Sequence, residues 1–456
     1  MRVVEDADAV VIGMGPGGED VAGSLAEAGL RVIGIEQALV GGECPYWGCV
    51  PSKMMIRAAD LLAEARRIPE VAGSASVTPD WGPVARRIRD EATDSWNDKV
   101  AVDRFVGKGG TFVRGPGAIS GPDRVTVNGT TYSASRAIVI ATGSSATIPP
   151  ITGLDRVNYW TNHEAVEADS LPSSLIVVGG GAVGLELGQV FARFGVRVSV
   201  VEALDRLLPL EEPEAGQTIA QVFAREGIEV FTGVRAAAVT KDGDRIGVSL
   251  ENGQRLSAER LLVAAGREAN LDGLGIENVG LDPNARWIRT DARLRAADHV
   301  WAVGDVTGEG AFTHVAMYQA AIATADILGR ETAPANYRAL PRVTFTDPEV
   351  GSVGLTEADA RRRGLSVRAG STLVAHSARG WIHGPGNEGF IKLVEDRDRG
   401  VLVGATSVGP RGGEVLSLLT LAVQIEVPVA TLRGMIYAYP TFYRGVEDAL
   451  RDLVSH

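Results

Sequence analysis

Two stretches of the chain share one pattern of apolar and polar positions. The first, DAVVIGMGPGGEDVAGSLAEAGLRVIGIE, sets an unbroken apolar run before a glycine-rich turn, then apolar residues at helical spacing, then a second apolar run ending in glutamate. The second, SLIVVGGGAVGLELGQVFARFGVRVSVVE, repeats that order. Unbroken runs rich in β-branched residues suit strands buried on both faces of a parallel sheet, and the segment between them has helical length, so each stretch predicts a βαβ unit. Between the two lie a polar, arginine-rich stretch from Pro51 to Val106 that predicts helices, then short strands ending in RAIVIATGS. After the second come RLLVAAGREAN, DHVWAVGDVTG and the helical THVAMYQAAIATADIL. From Tyr337 the texture changes to PRVTFTDPEVGSVGLTE, alternating strands and two late helices, which predicts an α+β domain of its own. The expected segments are therefore 1–150, 151–275, 276–336 and 337–456, an α/β chain with two doubly wound modules and a terminal α+β domain.

Length agrees, because 456 residues exceed what a single core accommodates. Hydrophobic residues at 45% and charged residues at 22% exclude a disordered or membrane-embedded chain. A net charge of −12 with no basic run to offset it repels both nucleic acid and an anionic membrane surface, so neither is an expected partner. The residues before the first strand, MRVVEDAD, have neither the apolar core of a signal peptide nor an arginine-rich presequence, and no apolar run is long enough to cross a bilayer. The expected address is the cytoplasm.

Each module carries a phosphate-binding fingerprint. Gly13, Gly15 and Gly18 form G-x-G-x-x-G between strand and helix, and Glu36 closes the second strand. Such glycines allow the tight turn, backbone approach to a pyrophosphate and close helix–strand packing, while the acid accepts from a ribose. Glu19 and Asp20 favour the helix dipole yet oppose a bound phosphate. Gly179, Gly181, Gly184 and Glu202 repeat the arrangement. A carboxylate at Glu202 pairs with a 2′-hydroxyl and repels a 2′-phosphate, so NADH is expected over NADPH, although Arg197 and Arg206 lie nearby.

The only two cysteines, Cys44 and Cys49, stand together in GGECPYWGCVPSK. A disulfide closing so short a loop adds little stability, which points to redox or metal chemistry. A closed zinc site wants about four ligands. The six histidines are scattered and none is near the pair, so redox chemistry is expected and no metal.

Gly41, Gly42, Cys44, Gly48, Cys49, Pro51, Ser52 and Lys53, followed in order by Ala141-Thr142-Gly143, the second fingerprint with Glu186, Ala265-Gly266-Arg267 and Gly304-Asp305, resemble the class I pyridine nucleotide-disulfide oxidoreductases. That family includes dihydrolipoamide dehydrogenase, glutathione reductase and mercuric reductase. The resemblance implies FAD in the first module, Cys49 as the thiolate against the flavin, Cys44 as the interchange thiol that meets substrate, and Lys53 near the flavin paired with Glu186. It further implies that Asp305 binds the ribityl chain, that the helix opening at Thr313-His314 points at the flavin pyrimidine, and that the last domain forms a homodimer interface.

The chain departs from the family in YAYPTFYRGVEDAL, where Tyr439 replaces the family's histidine base and Arg444 its orienting glutamate. A phenol of ordinary pKa is a poor base at neutral pH, and arginine stays charged. A tyrosine near that place resembles mercuric reductase, but RDLVSH brings no terminal cysteine pair. Tyr439 could donate to a thiolate and Arg444 could bind an anionic substrate, or both could serve interface packing; His376 and His383 are the candidates for a displaced base. Tyr46 and Trp47 could stack on a planar acceptor or fill a pocket. The resulting expectation is electron flow from NADH through FAD and the Cys44/Cys49 disulfide to a small disulfide or electrophile. The alternatives are an NADH reductase of quinone, metal ion or oxygen, and a non-catalytic dinucleotide-binding protein.

Overall fold

The computed structural model describes residues 4–455. The chain divides into two compact units, one of Met1–Pro51, Arg86–Thr147 and Gly266–Asn336, the other of Ser52–Ala85, Ile148–Ala265 and Tyr337–His456.

In the first unit the expected βαβ module is the centre of an eight-stranded sheet. Its order runs Arg295–Ala297, Val300–Ala302, Thr130–Ile140, Val4–Ile12, Val32–Glu36 and Thr111–Arg114, and the hairpin Ala118–Gly121/Arg124–Val127 is attached to Thr130–Ile140. Val4–Ile12 pairs in parallel with both of its neighbours. The pleat explains the unbroken apolar runs, because alternate residues of one strand serve two cores. Ala9, Val11, Ala137 and Val139 face the helices Pro16–Glu27 and Thr313–Ile327, through residues such as Leu25 and Ala323. Val10, Ile12, Ile138 and Ile140 face the other way, onto Ile119, Val125 and Ile276.

The second unit contains the second module, a parallel sheet ordered Glu229–Phe231, Arg197–Val201, Ser174–Val178 and Arg260–Val263, with the helix Ala182–Arg193 following its glycine turn. A three-stranded antiparallel sheet, Ala236–Asp242, Arg245–Leu250 and Arg255–Ala258, shares its core. The change of texture at Tyr337 opens a five-stranded antiparallel sheet, ordered Pro341–Thr344, Glu349–Gly354, Val401–Gly409, Phe390–Asp396 and Val367–Leu373. The two late helices, Gly412–Gln424 and Gly445–Ser455, pack on it; the latter buries Val446, Ala449, Leu450 and Leu453, a stripe at helical spacing. Arg193, buried at the end of its helix, pairs at 2.7 Å with each of Asp60, Glu226 and Asp347, and Arg67 reaches Asp347 at the same distance. A guanidinium so withdrawn from water needs several carboxylates around it, and these tie four separate segments together.

The polar stretch after the cysteines is helical, as its composition suggests, but its long helix, Cys49–Val71, begins two residues before Pro51. Proline is tolerated there because first-turn N–H groups have no partner inside a helix. No helix among the described residues is long and apolar enough to cross a membrane.

Candidate active site

The two fingerprints build the same device. Gly13 has φ +92°, and a Cβ on it would lie 2.4 Å from the Ala141 carbonyl oxygen; Gly179 has φ +120°, and its Cβ would lie 2.2 Å from the Ala264 oxygen. Only glycine lets strand and turn meet this closely. Gly15 and Gly181 stand directly before the helices Pro16–Glu27 and Ala182–Arg193, with no side-chain cap, so first-turn N–H groups are presented to an anion. Gly18 and Gly184 pack the first turn of each helix on its own loop.

The terminal acids match in detail. Glu36 accepts from the N–H groups of Met14 and Ala38, both at 2.8 Å, and Glu202 from those of Gly180 at 2.6 Å and Leu204 at 2.7 Å. In both modules the carboxylate thus braces the glycine turn at the edge where a ribose would lie. Arg206 donates to the Pro209 carbonyl oxygen at 2.9 Å, which turns its guanidinium back on its own loop.

Around the first fingerprint the residues fit a flavin dinucleotide. An open cavity of about 750 Å³, within the ordinary range of ligand sites, is lined by Gly13, Glu36, Gly117, Thr142, Asn270 and Arg286. The Thr142 hydroxyl, between Ala141 and Gly143, is buried with no partner among the described residues, which is costly unless a ligand supplies one. Asp305 follows Gly304 at the end of a buried strand and accepts from the Ser144 hydroxyl at 2.6 Å. Burial pushes its carboxyl up, while Ser144 and Arg267 pull it down. Gly266 continues the strand pairing by accepting from the Thr147 N–H, and Arg267 donates to the Ser144 hydroxyl at 2.8 Å. Ser144 had no sequence signal as a partner of Asp305, since 161 positions separate them.

Cys44 and Cys49 are both thiols in this structure. Cys44 lies on the short helix Glu43–Tyr46, which follows Gly42 in a left-handed turn, and Cys49 begins the helix Cys49–Val71. The Cys49 sulfur is 3.4 Å from the hydroxyl of Thr313, first residue of the helix Thr313–Ile327. Two helix N-termini therefore converge on that sulfur and favour negative charge there. The hydrogen bond from Cys49 and burial both push the Cys44 thiol well up, with Thr313 acting against them. The His314 ring stacks on Phe312, with 5.1 Å between ring centres.

Lys53 follows Cys49 by one helical turn. Its ammonium is 2.8 Å from Glu186, which is 6% exposed, and 4.6 Å from the centre of the Phe345 ring. The other Glu186 oxygen accepts from the Phe345 N–H at 2.8 Å. Phe345 carried no local signal and enters through tertiary packing alone. Glu186→Gln keeps an acceptor for Phe345 but removes the charge facing Lys53. Because Lys53 is about a third exposed, the expected loss is discounted to about 1–2 kcal/mol, read as a lower denaturation midpoint in guanidinium.

The remaining candidates stay in the second unit. Arg444 sits over the Tyr439 ring at 5.4 Å and pairs with Glu447 at 2.6 Å, so its charge is already engaged, while Tyr439 is exposed. His383 packs edge-on against Phe442, and burial lowers its pKa. A cavity of about 540 Å³ opens beside Cys44, lined by Tyr46, Asp20, Arg104, Thr313 and Met317 among others, and no histidine is among its described residues.

Two dinucleotide-binding folds, one of them carrying a dithiol at a helix N-terminus, define a flavin- and nicotinamide-dependent oxidoreductase. Residues 7–320 match the pyridine nucleotide-disulphide oxidoreductase family and residues 340–450 its dimerisation domain. The chain belongs to that family. It is 34% identical over 462 residues to a dihydrolipoyl dehydrogenase of Chlorobaculum tepidum, covering 98% of this chain and 97% of the relative. It is 33% identical to a mercuric reductase of Bacillus cereus, covering 98% of this chain and 71% of the relative. Among solved structures, the HOCl-induced flavoprotein disulfide reductase RclA of Escherichia coli superposes with a TM-score of 0.85 at 26% identity, over 97% of this chain and 99% of that one.

Proposed function

We propose that the protein is a homodimeric reductase that takes electrons from NADH in preference to NADPH and delivers them through the Cys44/Cys49 pair to a small disulfide or similar electrophile. The observation that carries this reading is the pair itself, two thiols in hydrogen-bond contact beside a cavity open to an acceptor. Bound FAD supplies the two-electron relay between a nicotinamide and the disulfide, with Gly13, Gly15, Glu36, Thr142 and Asp305 as the residues that hold it. Thr313 and the two helix N-termini hold the charge of the Cys49 thiolate. Cys44, once deprotonated, attacks the acceptor's sulfur, and Cys49 resolves the mixed disulfide by attacking Cys44. The two sulfurs return to a disulfide and the acceptor leaves as two thiols.

Glu202 and the inward-turned Arg206 support NADH as donor. The exposed apolar residues Leu421, Ile425 and Ile436 on the terminal domain support the dimer. The net charge of −12 supports an enzyme with neither nucleic acid nor an anionic membrane surface as partner, and the address we propose for it is the cytoplasm.

Among the described residues no histidine lines the cavity beside Cys44, which favours one second reading, reduction of a quinone or metal ion, for which no thiol base is needed; RclA has been solved as a Cu(II) complex. Steady-state oxidation of NADH and NADPH with lipoamide, glutathione disulfide, a quinone and Cu(II) separates the two. The main reading expects disulfide turnover with NADH. Turnover of quinone or Cu(II) alone would replace it with the second.

A further inference from the structure

The cavity around the first glycine turn is lined by three acids, Glu36, Glu268 and Asp272, against a single cation, Arg286, among the described residues. Glu36 is engaged by two backbone N–H groups. Arg286 makes no hydrogen bond or ion pair among the described residues; its guanidinium lies 5.6 Å from the centre of the Trp287 ring. An arginine in this state keeps its donors for whatever enters the cavity. Its place is nevertheless built. The Asp282 carboxylate accepts from the Asn284 N–H at 2.9 Å and the Asp282 carbonyl from the Ala285 N–H at 3.1 Å, which closes a tight turn just before Arg286. Just after it, Ile288 donates to the Val306 carbonyl oxygen at 2.9 Å, and Trp287 lies so near Gly308 that a Cβ there would be 2.6 Å from its ring. Val306 and Gly308 belong to the turn that Asp305 opens. The loop carrying Arg286 is thus fastened to the turn of Asp305, one of the residues assigned above to FAD.

A flavin dinucleotide brings two negative charges on its diphosphate. The helix Pro16–Glu27 offers them first-turn N–H groups, but it contains no lysine or arginine. The remaining countercharge has to come from another wall of the cavity, and Arg286 is the one lining residue that carries it. Resting on FAD as the occupant of this cavity, we propose that Arg286 is a further FAD-binding residue, the countercharge of the cofactor's diphosphate, and sets how tightly the flavin is retained. A lysine at this position serves equally well as a charge. A planar cationic face for stacking on adenine, by contrast, is particular to arginine, so the two possible contacts of Arg286 separate on one substitution. The glycine turn and Arg286 stand at opposite ends of the first unit's sequence, and only the folded loop brings the two to one cavity.

Release of FAD from the holoenzyme on dilution, followed by the rise in flavin fluorescence at low and at high salt, tests the inference; far-UV circular dichroism reports that each variant is folded. Arg286→Gln is expected to release FAD about five- to tenfold faster than the parent at low salt, and Arg286→Lys to stay within about twofold of the parent. Because Arg286 is exposed, high salt is expected to speed release from the parent and to narrow its gap to Arg286→Gln. Release from Arg286→Gln as slow as from the parent overturns the role of Arg286 and leaves the flavin assignment standing. Equally fast release from Arg286→Lys and Arg286→Gln, or a gap that salt does not change, overturns the countercharge in favour of stacking on adenine. A parent protein that carries no flavin and takes up none overturns FAD as the occupant.

Discussion

Cys49→Ser is expected to abolish disulfide reduction, by at least about 10³-fold in kcat, in a protein that still binds flavin. The oxidised centre is a bond between two sulfurs, and a hydroxyl at position 49 cannot form it. The position also carries the charge, because the helices Cys49–Val71 and Thr313–Ile327 both direct their N-termini at it. Anaerobic titration with NADH is expected to give a long-wavelength thiolate-to-flavin band in the parent protein and none in Cys49→Ser; a band that persisted would remove Cys49 from its assigned place. Cys44→Ser is expected to lose disulfide turnover to a similar extent while keeping the Cys49 sulfur. The pH profile follows from the raised Cys44 thiol. Attack requires its thiolate, which becomes populated only as pH rises toward a pKa above the usual thiol range, so disulfide reduction in the parent is expected to climb on the alkaline side. A flat profile there would mean that an unidentified base deprotonates Cys44.

The second large effect separates the two dinucleotide sites. A Cβ at Gly18 would lie 2.0 Å from the Gly13 carbonyl oxygen, and one at Gly184 would lie 2.3 Å from that of Gly179. In both cases the obstacle is backbone, which cannot move without lifting the helix off its phosphate-binding turn. Gly18→Ala is expected to cost about 2–3 kcal/mol and to release flavin on purification. Gly184→Ala is expected to stay yellow and to raise the KM for NADH by at least about tenfold, as lost phosphate contacts would. Flavin-to-protein ratio and NADH titration of the two variants check this. Loss of flavin from Gly184→Ala with normal NADH affinity would reverse the assignment of ligands to modules.

Much of this was legible along the chain because its signals are local. Gly13 and Gly179 are read from spacing, since a turn this tight excludes any side chain whatever the rest of the protein does. Glu36 and Glu202 are read from their place at the strand ends, and each braces a backbone N–H 22 positions before it. The sharp CPYWGC spacing placed two sulfurs within reach of each other. Other parts were not legible because their partners are far apart in sequence. Ser144 meets Asp305, and Phe345 closes on both Lys53 and Glu186, only after strands from distant segments pair.

The family, the two nucleotide folds, the redox pair and the replacement of a histidine by Tyr439 can all be read along the chain, because each depends on residue type and short-range spacing. Which charges are compensated emerges only once the chain is folded. Arg444 is satisfied by Glu447 and Arg206 by a carbonyl, while Asp20, first read as an obstacle to phosphate, lines the cavity beside Cys44 with no hydrogen bond among the described residues. Charge compensation is a property of neighbours in space, and no spacing along the chain encodes it.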